Sequence, residues 1–306
     1  MRGVHGEKLV AALESDKLPV SDKPRLSEAI VRYDTWIDDL SKVSGTVVSE
    51  CIEEMVEMLN SYKNYIDIDL IFDSPENFLY RQKGQLKLDN TVIEEFLPIM
   101  VKACLERSVG DVGLDIGAQV PTFSSAFFES SIGTPAIGGG LTIRAKDQDF
   151  SMSRKLYIQS SYEPDFIDED TLTITTHVGY VLAELKTNLD KTMFQEASAT
   201  AHDVKLAVSG AKYYLLCDFL DMTPISTGVT DIDEILIARK AKRINSNIRK
   251  NFSTYEGRLA NRNWYVEYLQ GNPYYSDVFE RFMDHILSQI QNEDLVEESV
   301  LDMGYF

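Results

Sequence analysis

From Val178 to Leu185 the chain runs Val-Gly-Tyr-Val-Leu-Ala-Glu-Leu, an apolar strand-like stretch that still places Glu184 near its end and Lys186 just beyond it. Side chains alternate across a strand, so Glu184 and Lys186 project together while Leu185 turns the other way, into a core. Buried strands seldom tolerate such charges without a partner or a metal ion. Any fold for this chain must therefore bring other groups to that strand end. Lys155 to Tyr162 and Thr171 to Thr176 are short and rich in β-branched and aromatic residues, and Tyr180 to Thr187 continues in that manner after Gly179, which suits a hairpin. The pattern predicts a β-meander, a helix from about Leu189 to Val208, and a buried strand from Tyr213 to Phe219.

The flanks read as helical. Apolar residues at helical spacing mark Gly6 to Leu13, Lys23 to Val43 and Val47 to Tyr62, with Gly45 between the last two. Asp67 to Phe78 reads as turn-rich and irregular, and Asp89, Asn90 and Thr91 offer caps for a helix to about Arg107 that carries Glu94 and Glu95. Gly110 to Gly140, rich in Gly, Ser, Thr and Pro, reads as a long loop with some strand in it. Ile232 to Asn251 and Tyr274 to Gln291 read as helices, followed by an acidic tail with Glu293, Asp294, Glu297, Glu298 and Asp302. The division this suggests is a helical region, residues 1–88, for recognition or dimerisation, and a core over residues 89–306.

A chain of 306 residues, 44 % hydrophobic and 26 % charged, has globular composition. Its apolar stretches are far shorter than the ~20 residues of a membrane helix, and the N-terminus lacks the apolar segment of a signal peptide, so the expectation is a cytoplasmic protein with no membrane partner. Cys51, Cys104 and Cys217 lie far apart with no CxxC, which points to reduced thiols rather than zinc or disulfides. A net charge of −19 argues against a nucleic-acid partner until its distribution is considered. Between Arg239 and Arg262 eight basic residues face Glu256 alone, a local charge of +7 that leaves −26 for the remainder. Most charge runs are solvated helix faces, but here Arg239, Lys240, Lys242, Arg243, Arg249 and Lys250 interleave with Asn245 and Asn247. Arg reads guanine and Asn reads adenine in the major groove, which makes these eight residues the candidate DNA contacts, within a segment reaching Tyr265.

The chemistry is carried by one constellation. Pro164 and Asp165 open one strand, Glu184-Leu185-Lys186 close the next, and 18 residues separate the two acids: the pattern PD, spacer, ExK. If Asp165 begins the neighbouring strand, its carboxylate meets Glu184 where two antiparallel strands diverge. Asp165, Glu184 and the Leu185 carbonyl then form a partial octahedral Mg²⁺ site with room for water and a phosphate, and Lys186 orients the attacking water. Asp168, Glu169 or Asp170 can replace Asp165, Glu94 or Glu95 can add a carboxylate, and Gln195 can hold a phosphate or cap its helix. ExK and PD also occur by chance, and an exposed Glu184–Lys186 ion pair is the bland alternative; the apolar strand around them favours the nuclease. The fold this implies is α/β (α+β): a PD-(D/E)xK restriction-endonuclease-like core with a central mixed β-sheet flanked by helices, plus helical N- and C-terminal regions.

More of the chain resembles one family. His5, Gly6 and Lys8, then Leu18, Pro19, Asp22, Lys23, Tyr33 and Trp36, the stretch from Tyr65 to Gly84, the block Glu184 to Asn188, and Asp233 to Arg243 look like the restriction endonucleases typified by the Bpu-ten-I subunits. The resemblance implies a Type II enzyme of two related, non-identical subunits that cut both strands of the asymmetric site CCTNAGC. It implies double-stranded DNA and a second subunit as partners, a heterodimer, with a homodimer as the alternative.

Other classes fare worse. Two carboxylates also serve a glycosidase, but that chemistry does not require the adjacent lysine. Gly138, Gly139 and Gly140 match neither a GxxxxGK[ST] phosphate cradle nor GxGxxG. His5, His177, His202 and His285 are scattered and no GxSxG occurs, which disfavours a serine hydrolase. The remaining alternatives are another PD-(D/E)xK nuclease, for repair or nicking, and a non-catalytic helical interaction protein.

Overall fold

A computed structural model describes residues 2–293 and 297–304. Four helices come first: α1 (Val4–Glu14), α2 (Lys23–Leu40), α3 (Val48–Asn64) and the short α4 (Phe78–Gln82). On α2 the buried positions Leu26, Ala29, Tyr33, Trp36 and Leu40 recur every three to four residues, which fixes the face it packs. Trp36 stacks on Tyr62 of α3 with ring centres 4.4 Å apart. Tyr65–Phe72, which takes in the first half of the stretch expected to be irregular from Asp67, instead continues α3 as wider π-type turns that bury Ile66, Ile68, Leu70, Ile71 and Phe72. Six apolar residues in eight leave no polar face to loop out, so the backbone keeps its helical bonds while widening.

Helix α5 (Thr91–Ser108) leads into a seven-stranded mixed sheet: β1 (Asp115–Gly117), β2 (Val120–Phe128), β3 (Leu141–Gln148), β4 (Phe150–Ser160), β5 (Leu172–Leu189), β6 (Lys212–Leu220) and β7 (Glu234–Lys242). Helix α6 (Lys191–Ala207) connects β5 to β6, started by the Asp190 side chain, which accepts from the Met193 amide. β4 and β5 form a long antiparallel hairpin from Phe150↔Ala183 to Ser160↔Leu172. The C-terminal half of β5 pairs in parallel with β6, and β6 in parallel with β7. β2 and β3 form a second hairpin, joined to β5 by one bridge, Thr122 to His177.

Two expectations are corrected here. Gly179 does not turn a hairpin: β5 runs through it, and the extra residue there is absorbed by a bulge opposite Met152 and Ser153. The segment from Ile232 is a strand rather than a helix, since Glu-Ile-Leu-Ile-Ala is an apolar, β-branched run of the kind that fills a buried parallel strand. Helical character returns in α7 (Ser246–Arg249), a 3-10 turn at Lys250–Ser253, α8 (Tyr255–Ala260), α9 (Arg262–Gly271), α10 (Ser276–Glu293) and α11 (Glu297–Met303). Of the acidic tail, Asp294 lies outside the described residues.

Alternation along the central strands builds a core on each face. Val181, Ala183 and Leu185 of β5 and Tyr214 and Leu216 of β6 pack with α1, α2, α3, α5 and α10. Leu182 and Leu189 pack with Tyr213, Leu215, Cys217 and the inner face of α6. Leu88, at the boundary expected from the sequence, is fully buried in the larger core, so the N-terminal helices and the sheet share one apolar interior. No helix among the described residues is long and apolar enough to cross a membrane.

Candidate active site

Asp149 is the single residue between β3 and β4, one step beyond the first rung of the β4–β5 ladder. There β4 leaves β5, and the gap exposes the Leu185 amide, which donates to Asp149 Oδ2 at 2.9 Å. Leu185 turns into the larger core while Glu184 and Lys186 project toward α6. Lys186 Nζ lies 2.7 Å from Glu184 Oε1, and the Tyr213 hydroxyl donates to Glu184 Oε2 at 2.8 Å. Asp149, Glu184 and Lys186 line one hollow of about 300 Å³, with Lys146 and Tyr213 at its sides. Glu94 approaches from α5, accepting from Asn90 at 2.7 Å and from Gln119 at 3.2 Å.

The electrostatics mark this corner. Burial raises the proton affinity of Asp149, and Glu184 adds to the rise, against the Leu185 amide and the cations Lys186 and Lys87. Burial and the charge of Asp149 likewise raise Glu94. Burial alone pulls Lys186 down, but its bond to Glu184 and the charges of Glu184 and Asp149 leave it above its ordinary value. Acids half withdrawn from water beside one another are short of positive charge. Asp149, Glu184 and the Leu185 carbonyl supply hard oxygen donors that suit a divalent cation, with other positions left to water and phosphate. Among the described residues no group of three or more His, Cys, Asp or Glu encloses an ion by itself.

Asp165 is not part of this corner, and its expected meeting with Glu184 is corrected. It stands exposed in the turn joining β4 to β5, as do Pro164, Asp168, Glu169 and Asp170. At ~3.3 Å per residue, the run of β5 from Leu172 to Glu184 puts that turn about 40 Å from Glu184. The PD dipeptide drew attention to the wrong end of the hairpin. Asp149 follows a glutamine, so no dipeptide announces it; the available signal was an acid directly before Phe-Ser-Met-Ser, where a strand begins. Glu95 is a structural residue that accepts from the His5 and Gly6 amides and from Tyr33, tying α1 to α5. Gln195 is exposed beside His202 and Thr230, away from Lys186.

Beyond Lys186 opens a larger cleft of about 560 Å³. One wall comes from residues 63–90, including Lys63, Lys83 and Lys87, the floor from Lys186 to Asn188 with Asp218, and the other wall from Arg243, Arg249 and the rings of Phe252, Tyr265 and Tyr268. Lys63 is paired with Asp67 at 2.6 Å and Lys83 with Asp89 at 3.4 Å. Of the candidate DNA contacts, only Arg243 and Arg249 line this cleft. Lys242, Asn245, Asn247 and Lys250 are exposed nearby, although Asn245 spends its side chain on the start of α7. Arg239 is corrected outright. It is 1 % exposed, held against the Tyr274 ring and the Asn272 carbonyl, and cannot reach DNA. Lys240 is exposed but paired with Asp277 of α10. Lys83 and Lys87 were not among the candidate contacts: with Arg81 they form a short basic run, but only the fold sets that run across a cleft from Arg243 and Arg249.

A mixed sheet between helices, with Glu-x-Lys closing a central strand and an acid held where the adjacent strand diverges, is the core of a restriction-endonuclease-like nuclease. The family model for the Bpu10I restriction endonuclease matches residues 85–306. The chain belongs to that family and is a restriction endonuclease chain. It superposes on the structure of the native BbvCI A2B2 tetramer with a TM-score of 0.52 at 19 % identity, covering 88 % of this chain and 97 % of that one, a likeness of fold. No curated protein sequence matches the chain.

Proposed function

We propose that the chain is one subunit of a Type II restriction endonuclease that hydrolyses DNA phosphodiester bonds with Mg²⁺, cutting through Asp149, Glu184 and Lys186. The observation that carries this reading is the meeting of Asp149 with the Leu185 amide beside the Glu184–Lys186 pair. Asp149, Glu184 and the Leu185 carbonyl hold the cation, with Glu94 as a further carboxylate behind Asp149. When bound, Mg²⁺ stabilises charge on the scissile phosphate and lowers the pKa of a coordinated water. Lys186, kept protonated by its neighbours, orients the attacking water and offsets the developing negative charge. Tyr213 donates to Glu184 Oε2 and so holds the carboxylate in place at the edge of the hollow.

Double-stranded DNA lies along the 560 Å³ cleft, between the lysines of residues 1–88 and the wall from Arg243 to Tyr268. Residues 1–88 thus serve recognition, and the enzyme works in the cytoplasm. An asymmetric site such as CCTNAGC cannot be matched by the two-fold axis of a homodimer, which shows one reading surface to both halves. One such centre hydrolyses one strand, so the second strand falls to a related second subunit; the BbvCI chain that shares this fold is part of an A2B2 tetramer. The test is plasmid cleavage in Mg²⁺ against EDTA. Strand scission that persists in EDTA, or in Asp149→Ala, overturns the reading.

A further inference from the structure

The two hairpins run past the body of the protein and meet at their far ends. Ser130 Oγ and Tyr162 OH lie 3.0 Å apart, and Ser160 Oγ donates to the Gly138 carbonyl at 2.8 Å. Gly138, Gly139 and Gly140 all take positive φ, and a side chain at Gly138 would collide with the Ser160 carbonyl. Only glycine closes the β2–β3 loop onto the β4–β5 turn in this way. The result is an arm with a built tip, and that tip is apolar. Phe128, Ile132, Ile137, Tyr162, Phe166 and Ile167 are each between 47 % and fully exposed. At 150–250 Å² per large ring and somewhat less per isoleucine, they bare on the order of 700 Å². That total approaches the ~800 Å² each partner brings to a stable interface.

Charge decides what can cover it. Residues 124–143 and 156–176 carry Glu129, Glu163, Asp165, Asp168, Glu169 and Asp170 and no Lys, Arg or His. A surface without a cation cannot hold DNA phosphates, so the arm calls for an apolar protein surface with a basic margin. Nearer the body, the same arm has that margin in Arg144 on β3 and Lys155 on β4, both exposed; Lys146 is spent on Asp203, and Arg154 turns to the Val112 carbonyl. Exposed large apolar residues elsewhere among the described residues are scattered along other elements.

We propose that the arm is the surface through which two copies of this chain associate, arm against arm and antiparallel, the acidic tip of each on the basic root of the other. A two-fold contact of this kind satisfies both margins at once. It also leaves each catalytic corner about 40 Å from the tip of its own arm, as the length of β5 requires. Two like chains so joined hold their centres too far apart to cut both strands at one point. The contact therefore goes beyond the subunit reading: it joins like to like, while cutting the second strand falls to the unlike chain.

Sedimentation velocity of the chain alone, from 1 to ~50 µM, tests this. The wild type sediments as a dimer, and Phe128→Ser/Ile132→Ser/Phe166→Ser, all at exposed positions, weakens it at least ~100-fold while still nicking supercoiled DNA at the wild-type rate. Arg144→Glu/Lys155→Glu and Asp168→Lys/Asp170→Lys are each monomeric, since each sets like charges against one another in its own dimer. Mixed, the two restore a dimer, because both tip-to-root contacts again pair opposite charges. A wild type monomeric throughout, an apolar triple variant that dimerises as before, or charge variants that do not recover on mixing overturns the proposal; none of these touches the cleavage test of the subunit reading.

Discussion

The two ends of β5 place charged residues in opposite circumstances. At the C-terminal end every charge of the catalytic corner has a partner: Glu184 has Lys186 and Tyr213, and Asp149 has the Leu185 amide. At the N-terminal end, Asp165, Asp168, Glu169 and Asp170 stand in water on a ribbon whose distal part carries no cation. The acids are of one kind; burial and neighbours raise the proton affinity of one set and leave the other a solvated surface. Partial burial beside other acids raises the proton affinity of Asp149 and Glu94 and so creates a demand for a cation. Full exposure creates none.

The sharpest break of this comparison is mutational. Asp149→Ala, Glu184→Ala and Lys186→Ala should each lower cleavage on the order of a thousandfold, about 4 kcal/mol of transition-state stabilisation, with DNA binding by fluorescence anisotropy largely kept. Asp165→Ala at the other end should cut at the wild-type rate. A dead Asp165→Ala beside an active Asp149→Ala would reverse the assignment.

Arginines of the basic segment divide in the same manner. Arg258, 1 % exposed, donates to the carbonyls of Phe72, Ser74, Glu76 and Phe252. Arg258→Ala should cost about 3 kcal/mol in urea unfolding, because it orphans several buried acceptors at once. Lys242→Ala and Arg249→Ala should leave stability nearly unchanged, weaken DNA binding several-fold, and each lower the slope of log K against log salt by about 1. Unchanged slopes would move the DNA path away from the cleft.

The pH dependence follows from the raised acids. Cation binding needs Asp149 and Glu94 ionised, so cleavage should fall with decreasing pH, beginning above the ordinary carboxylate range. The stability sign is opposite. A carboxyl whose folded pKa lies above its unfolded one favours the folded state at low pH, and that contribution is lost as pH rises through the folded pKa. Glu94→Gln should therefore shift the acid limb of the rate profile downward and, in EDTA at neutral pH, raise Tm by about 1–3 °C. An unmoved limb would place Glu94 outside the site.

The sequence carried the local features well. Helical spacing located α1, α2 and α3, candidate caps located the start of α5, the chain pattern after the meander located α6, and alternation placed Glu184 and Lys186 on one face with Leu185 on the other, since all of these depend on neighbours within a turn or two of chain. It was less informative where an apolar run serves either period, as at β7, which the parallel partner β6 makes a strand.

What the sequence by itself determined is therefore the nuclease class and the placement on one strand face of Glu184 and Lys186, two of the three residues proposed above to cut, because Glu-x-Lys on an apolar strand is a local pattern. The third residue was decided by the tertiary structure alone. Asp149 reaches Leu185 across 36 positions of chain because β4 pairs with β5 over all of its own length and the two part beyond the Phe150–Ala183 rung. How far a hairpin extends before its strands diverge is settled by the ladder and the core beneath it, and no spacing along the chain encodes it.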